Sequence, residues 1–132
     1  MKHRILHIVI LSLVFVLSSC STDDTNVSNK DILGVWERLE IINNETTLLR
    51  LVFGDANRAI KIERTNFDDG TEISSANSYE WLLNENEVIL TGENTATLIF
   101  ELNSSADPMQ LENGTDSPII KVSDDFGDFF QN

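Results

Sequence analysis

Few side chains in this sequence can do chemistry, and their positions narrow the choice. The two histidines are His3 and His7 and the one cysteine is Cys20, so all three fall within the first 20 of 132 residues. From Ser21 onward there is no imidazole and no thiol. That removes Ser-His and Cys-His nucleophilic catalysis, histidine-assisted proton transfer and the zinc patterns built on His or Cys. What remains for binding is a set of aromatic and basic residues. Trp36, Tyr79 and Trp81 are candidates to line an apolar pocket, and Arg38 and Arg50 to hold a ligand carboxylate by a two-pronged, charge-assisted contact. Each also has a plainer use: the aromatics in core packing, the arginines in surface pairs with neighbours such as Glu37 or Glu40.

The acidic groups offer a second chemistry. Asp68-Asp69-Gly70-Thr71-Glu72 and Asp124-Asp125-Phe126-Gly127-Asp128 are rich in oxygen ligands. Neither follows the Asp-x-Asp-x-Asp-Gly order with a Glu at the twelfth place that a calcium loop uses, so no metal or other cofactor is expected. No spacing identifies two carboxylates that would face each other as the acid and base of a glycosidase. The chain is expected not to be an enzyme. With 22 Asp and Glu against 9 Lys and Arg, the net charge of -13 would repel a phosphate backbone, and no nucleic-acid partner is expected.

The N-terminus carries an address. Lys2-His3-Arg4 precede an almost wholly apolar run from Ile5 to Leu17, shorter than the roughly 20 residues a spanning helix needs. A positive start, a short apolar run and small residues behind it predict a secretory signal peptide over 1–19. The following Leu17-Ser18-Ser19-Cys20 resembles the lipobox of bacterial lipoproteins, in which the Cys thiol becomes a lipid thioether and the new N-terminus. The resemblance implies a lipid on Cys20, the membrane as partner, and a cell-envelope location. The outer membrane is expected, on its periplasmic or its surface face. Cleavage there removes Lys2 and Arg4, so 9 basic groups become 7 and the net charge moves from -13 to -15. Residues 20–30 then form the lipidated Cys and a tether too polar to order itself. Within it, Asp23-Asp24 is similar to the acidic export signals of surface lipoproteins in Bacteroidetes.

The elements that position the candidate residues follow from Asp31 onward. Short apolar runs are separated by seven turn candidates: Asn43 to Glu45, Gly54 to Asn57, Asp68 to Gly70, Asn84 to Asn86, Gly92 to Asn94, Asn103 to Pro108, and Asn113-Gly114. Seven turns separate eight strands. Asp69-Gly70 and Asn113-Gly114 are the strongest hairpin signals, since a type I′ turn needs positive φ at both central residues. The runs alternate with period two: Ile73, Tyr79, Trp81 and Leu83 share a face, as do Ala96, Leu98, Phe100 and Leu102, and Ile60 and Ile62 oppose Lys61 and Glu63. A single helical turn is expected near Asn29 to Leu33. The fold class is therefore all-β, an up-and-down antiparallel meander over 31–123 that removes its edges by closing into a barrel, with a two-sheet sandwich as the alternative. Residues 124–132 are an acidic tail whose Phe126, Phe129 and Phe130 either pack on the barrel as a flap or dock a partner.

Ile32-Leu33-Gly34-Val35-Trp36 opens the first strand, and Gly-x-Trp at the head of an eight-strand meander resembles the lipocalin signature. Leu51-Val52-Phe53-Gly54-Asp55, Tyr79-Glu80-Trp81-Leu82-Leu83 and Val88-Ile89-Leu90-Thr91-Gly92 are similar to segments of small lipocalin-like lipoproteins of Bacteroidetes-type bacteria, over about residues 31 to 122. The resemblance implies that Trp36 plugs one barrel end beneath a basic residue of the last strand, a place that only Lys121 can fill here. It also implies a lipid-anchored envelope binding protein whose barrel holds a small apolar ligand. Because so short a barrel can be filled by its own side chains, the alternative is a solid-core protein-interaction module with no small-molecule ligand. Trp36 shares its parity with Arg38 and Glu40, against Val35, Leu39 and Ile41. Either the strand bends near Trp36 or the interior is partly polar.

Overall fold

The computed structural model describes residues 27–131. The signal segment, Cys20 and the tether up to residue 26 lie outside the described residues. The chain runs through a one-turn helix α1 (Asn29–Ile32) and eight strands: β1 (Gly34–Ile42), β2 (Glu45–Phe53), β3 (Arg58–Asn66), β4 (Glu72–Asn84), β5 (Glu87–Thr91), β6 (Leu98–Asn103), β7 (Gln110–Glu112) and β8 (Ile119–Ser123). A 3-10 turn follows at Gly127–Phe129. Every strand pairs antiparallel with the next, and β1 pairs with β8, so the meander closes as a barrel in sequence order. The seven expected turns are the seven links.

α1 begins two residues inside the segment expected to be tether. Its start is fixed by Asp31, whose carboxylate accepts the Ser28 amide at 2.7 Å and the Ser28 hydroxyl at 3.0 Å, satisfying donors a helix start leaves free. The turn delivers Ile32 into the core, fully buried, with Val27 packed against the same cluster. The chain must then pass β8 closely. Gly34 sits at φ 128, and a Cβ there would lie 2.1 Å from the Ser123 carbonyl oxygen, so only glycine fits before Val35 and Trp36. A register shift between Val35 and Trp36 against β8 turns the Trp36 side chain inward.

Turn chemistry differs from expectation in one respect. Positive φ at both central residues occurs at Asn43 and Asn44 and at Ala56 and Asn57, whereas Gly70 and Gly114 take it without Asp69 and Asn113. The β1–β2 connection is thus the two-residue hairpin with positive φ at both positions, the two-residue β4–β5 link having it at Glu85, and the Asp69 loop is closed by side-chain bonds instead.

The interior is one apolar cluster. Trp36, Leu51, Phe53, Val88, Leu90 and Leu111 are wholly buried in it. Phe53 stands edge-on between the two indoles, 6.2 Å from Trp36 and 5.7 Å from Trp81, a favoured aromatic geometry. On β3, the register Phe53↔Ala59↔Tyr79 fixes the inward positions as Ala59, Lys61, Glu63 and Thr65. The apolar pair Ile60 and Ile62 therefore lies on the outer face, and β1 sends Leu39 (61 % exposed) and Ile41 (70 %) outward in the same way. Hydrophobicity alone would place these four residues inside. The fully buried Ala59 and Trp36 decide the parity, and period two then carries every neighbour with them.

Candidate functional site

The five residues singled out as a pocket do not converge on one. Trp36 closes the end of the barrel under α1: its Nε1 donates to the Ile32 carbonyl at 2.9 Å, and the Lys121 ammonium lies 5.9 Å from its ring centroid. Lys121 is held there by the Asp31 carbonyl at 2.7 Å and the Asp124 carboxylate at 2.6 Å. The basic residue of the last strand thus covers the tryptophan. Trp81 donates through Nε1 to the Gly54 carbonyl at 3.1 Å, and both indoles spend their only polar group on backbone. Tyr79 is buried beside them. All three aromatics belong to the buried apolar cluster of the barrel interior.

The two arginines lie on opposite faces. Arg38 follows the inward parity of Trp36 at the far end from α1, where its Nη1 donates to the Ser117 carbonyl at 3.0 Å and pairs with Asp116 at 3.5 Å. Its Nε lies 3.0 Å from Glu40 Oε1, close enough for attraction, but the angle leaves this buried N–H without a hydrogen bond. Arg38 therefore ties β1 to the adjacent β7–β8 loop. Arg50 faces outward, donates from Nε to Glu37 at 2.6 Å across the β1–β2 ladder, and stacks over Phe129 at 5.7 Å.

Phe129 belongs to the tail, which packs back onto the barrel wall. Phe130 lies against Gly54, where an added Cβ would meet its ring at 2.5 Å, and Arg58 sits 4.9 Å over the same ring. Arg50 and Val52 share the outer face of β2, and Gly54 follows directly after the strand; Val52, between the two tail contacts, is outward in parity yet fully buried. The acidic clusters serve as local braces. In the first, Asp69 accepts the Thr71 hydroxyl at 2.6 Å and amide at 2.9 Å, which holds its carboxyl below the ordinary carboxylate value. In the second, the hydrogen bond from Lys121 and then its charge hold Asp124 low, while Asp125 accepts the Gly127 amide. No group of three or more His, Cys, Asp or Glu poised for a metal occurs among the described residues.

Sequence reasoning missed what happens where the long strands outrun the short ones. β4 pairs with β3 from Glu72 to Glu80 but with β5 only from Glu80 to Asn84. From Glu72 to Tyr79, β4 has a strand on one side and none on the other. Where the strands part, an open cleft of about 460 Å³ is lined by Ser78, Tyr79, Glu80, Thr91, Gly92 and Glu93. A second cleft, about 490 Å³, opens outside the α1 end between the β6–β7 loop and Lys121. The only sequence signal for this mismatch was length: the period-two run of β4 spans more residues than the run of β5 that follows. Protein-family models, curated proteins and solved structures provide no match to the chain.

Proposed function

We propose that this is a lipid-anchored cell-envelope protein whose lipocalin-like barrel has a solid interior and acts by binding a protein through its surface rather than by catalysis. The observation that carries the reading is the filled interior: Trp36, Phe53 and Trp81 stack edge to face through the middle of the barrel, with every indole N–H satisfied by the chain itself. An eight-stranded barrel has room for side chains or for one small ligand, and the buried cluster around these aromatics supports the first. Cys20, at the place a lipobox requires, supplies the anchor, and the acidic surface disfavours nucleic acid as the partner. Organic extraction and mass spectrometry of natively purified protein test the reading. No stoichiometric apolar compound is expected, and release of one per chain would return the interior to ligand binding.

A further inference from the structure

We infer that the free edge of β4, from Glu72 to Ser78, is a docking strand for an extended basic segment of a partner protein. The inference rests on the surface-binding reading above and names the surface and the chemistry of its occupant. Strand edges present unpaired N–H and C=O groups, and proteins that do not use them blunt them with lysine, proline or a bulge. This edge has none of those: it reads Glu-Ile-Ser-Ser-Ala-Asn-Ser, stays in register with β3 throughout, and receives no backbone hydrogen bond from another segment among the described residues. Ser74, Ser75 and Ala76 are small and exposed, and Ile73 is 63 % exposed although it has inward parity, because no strand stands opposite it. A strand added here would bond main chain to main chain and project alternate side chains to either face.

Charge selects the occupant. At the Ser78 end, the edge runs into the cleft floored by Tyr79 and flanked by Glu80 and Glu93. Both glutamates are exposed, and neither has a basic partner among the described residues. The cation nearest Glu80 along the sheet is Arg58, its register partner on β3, which is committed to Asp55 at 2.9 Å and to the Phe130 ring at 4.9 Å; farther along, Lys61 pairs with Glu63 at 3.1 Å and Arg64 with Glu72 at 3.2 Å. A lysine or arginine of the added strand near the Ser78 end would meet the exposed carboxylates of Glu80 and Glu93 at the mouth of this cleft. The net charge of -13 favours a basic partner over a second copy of this chain.

A phage-displayed random octapeptide library, selected on the full chain in detergent, tests the inference. Enriched peptides should carry Lys or Arg at alternate positions and slow amide exchange at Ile73 to Ser78. Exchanging those basic residues for Glu, or methylating alternate peptide amides, should abolish binding, and the double variant Glu80→Lys/Glu93→Lys should weaken it about tenfold or more. Enrichment without basic residues, exchange protection elsewhere, or indifference to charge reversal on both partners would overturn the assignment. So would a β4-mediated dimer seen by sedimentation with protection of the same amides in the absence of peptide. Peptides that protect another surface leave the surface-binding reading standing while this inference falls. A stoichiometric apolar compound from the extraction sinks the surface-binding reading instead.

Discussion

Replacing Trp36 with Ala removes the residue on which the closed end of the barrel depends. The side chain is fully buried beneath α1, edge-on to Phe53 and covered by Lys121. A tryptophan of this kind withdraws about 200 Å² from water, and at about 25 cal/mol per Å² that is about 5 kcal/mol, an upper figure because the unfolded chain already buries part of it. The Ile32 carbonyl loses its donor at 2.9 Å, which adds about 1 kcal/mol, while partial collapse of Ile32 and Lys121 into the space recovers some of the loss. The net expectation is a destabilisation of about 3 to 5 kcal/mol, a large part of the 5 to 15 kcal/mol that holds a domain of this size together.

Urea unfolding followed by fluorescence reads this directly, because Trp81 remains as the sole tryptophan reporter. With a slope of about 1.5 kcal/mol per molar urea, the midpoint should fall by about 2 to 3 M at unchanged slope. Trp36→Phe keeps the ring against Phe53 but loses the N–H, and should cost about 1 to 2 kcal/mol. A loss below about 1 kcal/mol for Trp36→Ala would mean that the α1 end does not rest on this residue, and the reasoning from Gly34 through the bulge to the plug would be wrong.

Leu51→Ala should cost about 2 to 5 kcal/mol, whereas Leu39→Ser should stay within about 0.5 kcal/mol although both are leucines on the first hairpin; equal costs in urea would refute the register. Phe130→Ala should lose about 1 to 2 kcal/mol from its contacts with Gly54 and Arg58 and speed proteolytic trimming of the tail, with trimming at the wild-type rate as the adverse result. Because the folded values of Asp69 and Asp124 lie below their ordinary one, their contribution is complete above that value and fades as pH falls through the folded values; Lys121→Met should flatten the acid limb of stability against pH through Asp124, and an unchanged limb would count against the pairing. Cys20→Ala should abolish incorporation of labelled fatty acid, and equal labelling of the two proteins would remove the anchor.

The meander was legible because its punctuation is local. Asn, Asp and Gly clusters mark all seven links, and a run such as Tyr79-Glu80-Trp81 states its own alternation. Parity on β3 was not legible. Ile60 and Ile62 outrank Lys61 and Glu63 in hydrophobicity, yet the small Ala59 must stand inside between Phe53 and Tyr79, a demand that arises only when three strands are in register. The one-turn helix was readable from Asn29 to Leu33, but its capping carboxylate Asp31 also orients Lys121, 90 residues away, through its own carbonyl. Of the candidate site, the aromatic positions were recoverable and so was Trp36 beneath Lys121; for Tyr79 and Trp81 lining and packing could not be told apart, because both give the same pattern in a single strand.

The same register that buries Trp36, Phe53 and Tyr79 leaves open backbone groups at the rim. Near α1, the inward positions of β1 to β4 are Trp36, Phe53, Ala59 and Tyr79; toward the β1–β2 and β3–β4 turns they become Glu40, Thr47 and Thr65, with the exposed Ile73 as the β4 partner of Thr65. Thr47 and Thr65 meet through their hydroxyls at 3.1 Å, so the polar end is bonded to itself across the sheet. The short strands β5 to β8 stop near the apolar core, and the long strands run on past it with no sheet opposite. A closed barrel has no edge where all eight strands take part, and regains edges where they do not: on β4, because β5 is 5 residues long and β4 is 13, and on β1, which pairs with β8 only from Val35 to Glu37. The unequal strand lengths therefore leave open hydrogen-bonding groups on β4, in a stretch that ends beside Glu80 and Glu93, which have no basic partner among the described residues.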